Sequence, residues 1–309
     1  MKFLKPKFWE NRNSIYSIVL YPISIIIQFT TMLKRILIIP KKFKIPIICV
    51  GNIYLGGTGK TPVSIEIVNE LKKRNRNPVI IKKYYKDQLD EQRLIQKKIK
   101  YLISSNNRIR GIEEAEKKDF NVVVLDDGFQ DYSIKKDFNI ICFHSNQSIG
   151  NELVLPSGPL RENLKSLDKA DAVIINGNKN DILEKKILDI SNRIKIYYSK
   201  YIASNVKQFQ NKKLFAFAGI GNPMNFFELL KDNNLNIEKT LSFPDHHHFN
   251  KIELQKIIDE SLKKNCEIIT TEKDYLRIKD YGFTDIKYLE INLQIYEKEK
   301  LFNQIAKKT

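Results

Sequence analysis

The sequence predicts a doubly wound α/β fold with a smaller α/β domain at its C-terminal end and an apolar helix at its start. Three observations predict it. From residue 45 onward, short β-branched runs alternate with polar stretches of helical length, the βαβα order that builds a parallel sheet covered on both faces. A glycine-rich turn joins the first of these runs to the first helix. Ahead of both, Ile15–Leu33 carries no charged residue and is mostly Ile, Val, Leu and Phe.

The N-terminal stretch comes first. The chain has 309 residues and a net charge of +17, an excess that on its own invites nucleic acid or an anionic membrane as partner, or mere drift in a Lys-, Asn- and Ile-rich composition. Its distribution is uneven. The first fifty residues hold nine basic side chains against Glu10 alone, and the basic residues flank the apolar run on both sides. The run reaches the roughly 17–25 residues a membrane span needs. No small-residue cleavage site follows, which argues against a signal peptide. Pro22, Ser17, Ser24, Gln28, Thr30 and Thr31 dilute it, and basic flanks at both ends suit a helix lying in the interface better than a span. Membrane attachment is therefore expected, with spanning and interfacial arrangements both open. Phe8-Trp9 would suit a headgroup-level anchor.

The strands expected are Ile45–Val50, Pro78–Lys82, Asn121–Asp126, Phe138–Phe143, Asp171–Asn176, Leu214–Ala218 and Glu267–Thr271. The helices expected are Pro62–Arg74, Ile182–Arg193, Met224–Asp232 and Lys251–Lys264. The polar run Lys207–Lys213 separates two α/β stretches, which divides the chain into an N-terminal membrane-associated segment (1–44), a core domain (45–206) and a smaller domain (207–309). A composition of 42% hydrophobic and 29% charged residues fits a globular protein and excludes disordered and polytopic membrane classes. Cys49, Cys142 and Cys266 have no C-x-x-C spacing, so a disulfide framework or structural zinc is not expected.

Gly56-Gly57-Thr58-Gly59-Lys60-Thr61 follows a strand and opens a helix. Glycines let backbone N–H groups turn toward phosphate oxygens, and the helix N-terminus favours negative charge. Lys60 would reach the outer phosphates of ATP, and the Thr61 hydroxyl would ligate Mg²⁺. Pro62 is tolerated because the first helical turn has no N–H bond to lose. The strict motif wants glycine at position 54, where Tyr54 stands. The apolar run Val122–Leu125 ends in Asp126-Asp127, the partner a phosphate loop needs for its metal ion. Adjacent strand residues face opposite ways, so the two acids should differ in role.

Three consecutive histidines, His246, His247 and His248, follow Asp245. They lack the spacing of a helical zinc pair, and Asp245-His246 suits proton transfer instead. Asn178-Lys179-Asn180-Asp181 spells a guanine-reading pattern, but Leu125 stands where a GTPase needs Asp. Leu55 likewise occupies the lysine position of membrane-switching ATPases.

Together these motifs resemble the tetraacyldisaccharide 4′-kinase family, within the P-loop NTPase superfamily. The resemblance rests on Phe8-Trp9, Gly51-Asn52 with the loop through Pro62, Asp126-Asp127-Gly128-Phe129-Gln130 and Leu155-Pro156-Ser157-Gly158-Pro159-Leu160-Arg161-Glu162. It continues through Asp171–Gly177, Phe217–Pro223, Phe243-Pro244-Asp245-His246-His247 and Thr270-Thr271-Glu272-Lys273-Asp274. It implies ATP, Mg²⁺ and phosphorylation of the 4′-hydroxyl of an anionic glycolipid, tetraacyldisaccharide 1-phosphate, to give lipid IVA. It places the reaction at the cytoplasmic face of the inner membrane. The sequence offers no interleaved basic and aromatic motif, so nucleic acid is not expected as a partner, and no obligate protein partner is inferred. Asp90, in Leu89-Asp90-Glu91, inherits the role of the acid–base group, paired with His246; Gln130, Arg161, Glu162 and Asp245 inherit substrate contacts. The sequence departs from the family at Lys83-Tyr84-Tyr85-Lys86, where Arg-Gly-Tyr-Gly is usual, and at Asp131, where His is usual. A membrane-attached regulatory ATPase is the rival reading.

Overall fold

The computed structural model describes residues 6–85, 89–245 and 247–309. The chain forms two compact units. One is built from Lys5–Tyr84, Ile99–Lys200 and Leu293–Thr309, the other from Tyr85–Lys98 and Tyr201–Asn292. The units interleave along the chain, where the sequence reading expects one boundary at 206–207. Both exchanges have a physical cause. Helix α3 (Leu89–Lys98) packs on helix α8 (Glu272–Ile278), and the C-terminal strand β12 (Ile291–Ile295) adds to the edge of the larger sheet.

The larger unit carries an eight-stranded sheet. In chain order its strands are β1 (Ile47–Gly51), β2 (Pro78–Lys83), β3 (Leu102–Ser105), β4 (Val122–Asp126), β5 (Phe138–His144), β6 (Ala172–Asn176), β7 (Lys195–Ala203) and β12. Across the sheet they run β12-β7-β6-β5-β1-β4-β2-β3. The pairings from β7 through β3 are parallel. Strands β1, β4 and β6 are buried at every position, as parallel strands covered on both faces require. Because β1 has β4 on one side and β5 on the other, the chain order reverses at its C-terminal end. Open α/β sheets bind ligands at such a point.

Helix α2 (Lys60–Lys73) follows β1 and ends on Lys72 and Lys73, cations that suit the negative end of its dipole. Asparagine side chains cap the next helices. Asn107 accepts from Ile109 N ahead of α4 (Arg108–Lys117), and Asn180 accepts from Leu183 N ahead of α5 (Asp181–Ile190). Asn180 is thus a helix cap, and Lys179 pairs with Asp181 in an exposed salt bridge, which accounts for the guanine-like pattern.

In the smaller unit, β8 (Lys213–Ala218), β9 (Asn236–Ser242), β10 (Glu267–Thr271) and β11 (Ile286–Leu289) form a parallel sheet in the order β11-β10-β8-β9. Alternate residues of β8 face opposite layers. Leu214, Ala216 and Ala218 cluster with Phe226, Phe227 and Leu230 of α6 (Pro223–Asp232), and Phe215 and Phe217 cluster with Leu254, Ile257 and Ile258 of α7 (Lys251–Lys263). Asn222 and Asn250 cap these two helices.

Helix α1 (Ile15–Leu37) is longer than the apolar run that predicts it. One stripe of it is fixed to its own unit. Ser24 Oγ donates to Val154 O and lies 2.8 Å from Ser157 Oγ, and Asn151 Nδ2 donates to Ser17 Oγ at 3.1 Å. Much of the remaining surface is exposed and apolar, including Ile18, Val19, Ile23, Ile26, Phe29 and Met32. Trp9 corrects an expectation. It is buried and donates its indole N–H to Pro156 O at 3.0 Å, so it anchors the chain to the protein rather than to a headgroup layer.

Candidate active site

The loop after β1 is held in shape by side-chain amides. Asn52 Nδ2 donates to Tyr54 O at 2.6 Å and to Thr58 Oγ1 at 2.9 Å. Asn176, at the end of β6, donates to Thr58 O and itself accepts from Ser199 Oγ. Gln130 Nε2 donates to Asn52 O at 2.9 Å, so this predicted substrate residue braces the loop. Tyr54 is buried and bridges to Leu160, which explains why the glycine of the strict motif is absent: the chain does not turn there. It turns at Gly56 and Gly59, with φ of 126° and 86°, and Gly59 leads straight into α2.

Strand order then assembles the acidic side of the site. Val50 and Lys82 both stand in register with Asp126, on the strands flanking β4. Three donors converge on the fully buried Asp126 carboxylate. Thr61 Oγ1 donates to Oδ2 at 3.0 Å, Lys82 Nζ to Oδ2 at 2.6 Å and Ser64 Oγ to Oδ1 at 2.9 Å. Asp127 leaves the strand in the left-handed region, φ 57°, a conformation that Asp tolerates better than most side chains. That turn swings its carboxylate toward other partners. Arg161 Nη1 lies 3.0 Å from Oδ1 and Lys60 Nζ lies 3.6 Å from it. Burial works against ionisation of Asp127, but Lys60, Arg161 and Lys82 outweigh it and hold the carboxyl down at about 2. The two carboxylates thus take different partners.

The departures from the family pattern have structural consequences. Asp131 pairs with Arg108 at 3.3 Å, and Arg108 Nη2 donates to the Asp127 carbonyl at 2.7 Å, so an ion pair steadies the Asp127 backbone. On the altered second strand it is Lys82 that reaches the site. Glu162 is buried, with the Arg35 guanidinium of α1 at 3.9 Å.

The smaller unit holds a second group of predicted residues. Asp90 lies on α3 and is buried. Arg277 donates to its Oδ2 through Nε at 3.0 Å and Nη2 at 2.6 Å. Lys273 Nζ stands 3.5 Å from Asp90, 3.2 Å from Glu91 and 3.5 Å from Asp245. The structure thus brings Asp90 and Asp245 to one cation, although 155 positions separate them in sequence. His246 lies outside the described residues. His247 is buried, with Nε2 2.8 Å from Glu253 Oε2 and its ring stacked on Phe243, centroids 4.8 Å apart.

Sequence reasoning missed Asn52, Ser64, Lys82, Arg108, Asn176 and Arg277 as site residues. A local signal existed for Ser64, which follows Thr61 by three positions and so shares its helix face. Lys82, Arg108, Asn176 and Arg277 meet their partners only through strand order or helix docking.

Among the described residues no three His, Cys, Asp or Glu side chains cluster as an all-protein metal cage. The hard oxygens of Thr61, Asp126 and Asp127 nevertheless suit Mg²⁺, which is commonly bound by one or two protein groups together with substrate phosphates.

Comparisons with known proteins agree over the whole length. The family described as tetraacyldisaccharide-1-P 4′-kinase (LpxK) matches residues 16–309. Tetraacyldisaccharide 4′-kinase of Pelagibacter ubique (strain HTCC1062) is 42% identical over 314 residues, covering 99% of this chain and 98% of that protein. The protein of the same name from Rickettsia typhi (strain ATCC VR-144 / Wilmington) is 34% identical over 328 residues, covering 100% and 99%. A crystal structure of LpxK from Aquifex aeolicus in complex with ATP matches with a TM-score of 0.72, covering 95% of this chain and 99% of that one. Its 22% identity makes that a likeness of fold.

Proposed function

The chain belongs to the tetraacyldisaccharide 4′-kinase family, and from that membership we propose which of its residues carry each part of the reaction. It is a kinase of lipid A biosynthesis that uses ATP to phosphorylate the 4′-hydroxyl of tetraacyldisaccharide 1-phosphate, giving lipid IVA. The observation that supports the residue roles best is the turn at Gly59, which delivers Lys60 beside Asp127 and Thr61 onto Asp126.

In this reading Gly56, Gly57, Thr58 and Gly59 cradle the ATP phosphates with their backbone N–H groups. Lys60 neutralises charge developing on the transferred phosphoryl group. Thr61, Asp126 and Asp127 would hold Mg²⁺, which would offset the charge of the phosphates. Lys82 supplies the charge partner of the buried Asp126 carboxylate, and Arg161 holds Asp127 toward Lys60. Asp90 accepts the proton of the attacking 4′-hydroxyl, and His246 tunes that transfer. Gln130, Arg161, Glu162 and Asp245 contact the glycolipid or position the groups that do.

The same reading places the enzyme at the cytoplasmic face of the inner membrane, with α1 lying in the interface. Ser17 and Ser24 bind one stripe of the helix to the body of its unit, which favours a helix lying in the interface over one that crosses the bilayer. Its exposed apolar side faces lipid, and Lys34, Arg35, Lys41 and Lys42 stand where anionic headgroups would meet them.

Purified protein with ATP, Mg²⁺ and the disaccharide lipid tests the reading by a mass shift of one phosphate on the lipid. Lys60→Ala is expected to lower kcat by about 10²–10³. Lipid-stimulated ATP hydrolysis without transfer to the lipid would favour a regulatory ATPase instead.

A further inference from the structure

Asp90 is not placed by its own helix alone. Arg277, on α8, grips Asp90 Oδ2 with two nitrogens, and its third nitrogen is locked on the opposite side. Nη1 donates to Asp274 Oδ1 at 2.6 Å and to Gly219 O at 2.7 Å. Asp274 is fully buried and immobilised in turn, since its Oδ2 accepts from Gly219 N at 2.8 Å and from Thr271 Oγ1 at 2.7 Å. A side chain at position 219 would bring a Cβ within 3.2 Å of Asp274 Oδ1, so glycine is what allows this close approach. The guanidinium is planar and rigid. Fixed at one end by Asp274 and Gly219, it fixes the Asp90 carboxylate at the other. Lys273 lies one helical turn earlier on the same face of α8 and reaches Asp90, Glu91 and Asp245 together.

We propose that Arg277 and Lys273 are positioning residues for phosphoryl transfer: Arg277 orients the Asp90 carboxylate, and Lys273 ties α3 to Asp245. The proposal rests on the reading of Asp90 as the proton acceptor, and the experiment separates the two. A misplaced acid–base group commonly costs on the order of 10²-fold in rate. Arg277→Met is expected to lower kcat about that much while KM for MgATP changes less than about twofold, because the phosphate loop belongs to the other compact unit. Arg277→Lys retains the counter-charge for Asp90 and Asp274 but not the fork. It should fold as the wild type does, by circular dichroism and melting, and still lose most of kcat.

The decisive measurement is a double-mutant cycle with Asp90→Ala. If Arg277 acts through Asp90, Arg277→Lys adds less than about a twofold loss once Asp90 is gone. Losses that multiply in the double variant, or an Arg277→Lys enzyme with wild-type kcat, would overturn the positioning role. An Asp90→Ala enzyme with undiminished kcat would instead overturn the reading of Asp90 itself. Lys273→Met should show the same non-additivity with Asp90→Ala.

Discussion

Asp126 and Lys82 form an ion pair that is almost wholly buried, at 0% and 4% side-chain exposure. Burying two charges costs several kcal/mol that a tight pair only just repays, and removing one partner strands the other. Asp126→Asn should therefore lower unfolding free energy by about 3–5 kcal/mol in urea titration, over and above its loss of activity. Asp126→Asn with Lys82→Met should recover part of that loss, and a double variant no more stable than Asp126→Asn would refute the pairing argument. At this scale the sequence revealed the loop, Lys60, Thr61 and both acids, because local glycine conformation and helix-terminus chemistry dictate them. It did not reveal Lys82, which reaches Asp126 across 44 positions of chain. The same holds for Asn52 and Asn176. Asparagine abundance reads as compositional drift in the sequence, yet these amides hold the phosphate loop and others cap α4, α5, α6 and α7.

At the level of elements, the C-terminal helix α9 (Lys298–Ala306) shows how a late segment is bound to an early one. Lys298 Nζ lies 2.8 Å from Glu70 on α2. Burial alone would raise the Glu70 carboxyl, but its contacts with Lys298 and Lys73 prevail and hold it below the ordinary value. A depressed carboxylate contributes stability that is present above its unfolded pKa, near 4.3, and is lost as pH falls through the folded value. Lys298→Met should thus cost about 1 kcal/mol at pH 7, and the difference from wild type should shrink below about pH 4. An equal difference at pH 7 and pH 3.5 in urea unfolding would contradict the assignment. Helix α1 allows a parallel test with lipid. Ile18 and Ile26 are each 62% exposed, so Ile18→Asp with Ile26→Asp should leave melting unchanged and reduce sedimentation with anionic vesicles about tenfold or more. Full retention on vesicles would remove α1 as the attachment.

For the molecule as a whole, the interleaving of the two units makes the last seventeen residues part of the phosphate-loop unit. Leu293, Ile295, Leu301, Phe302 and Ile305 are all buried, and each is worth about 1.5–3 kcal/mol. Their sum rivals the ~5–15 kcal/mol that holds an ordinary domain together. Deleting residues 293–309 should therefore abolish cooperative melting of the large-sheet unit and its amide protection in hydrogen exchange. A truncated protein that melts within a few degrees of wild type would show that the return strand is dispensable. What the sequence determined by itself was set by neighbours a few positions apart, although not every local feature was read from it. That covers the buried parallel strands, the phosphate loop, the apolar face of α1 and the ordered motifs that mark the family. Only the tertiary structure decided that Lys82 neutralises Asp126, that α1 lies bound along its own unit, and that Asp90 sits on Arg277 from 187 positions away. The physical reason is the range of the forces involved. Backbone dihedrals and side-chain periodicity act locally and leave their mark in adjacent letters. Pairing of distant charges depends on which strands become neighbours and which helices dock, and these are properties of the folded chain alone.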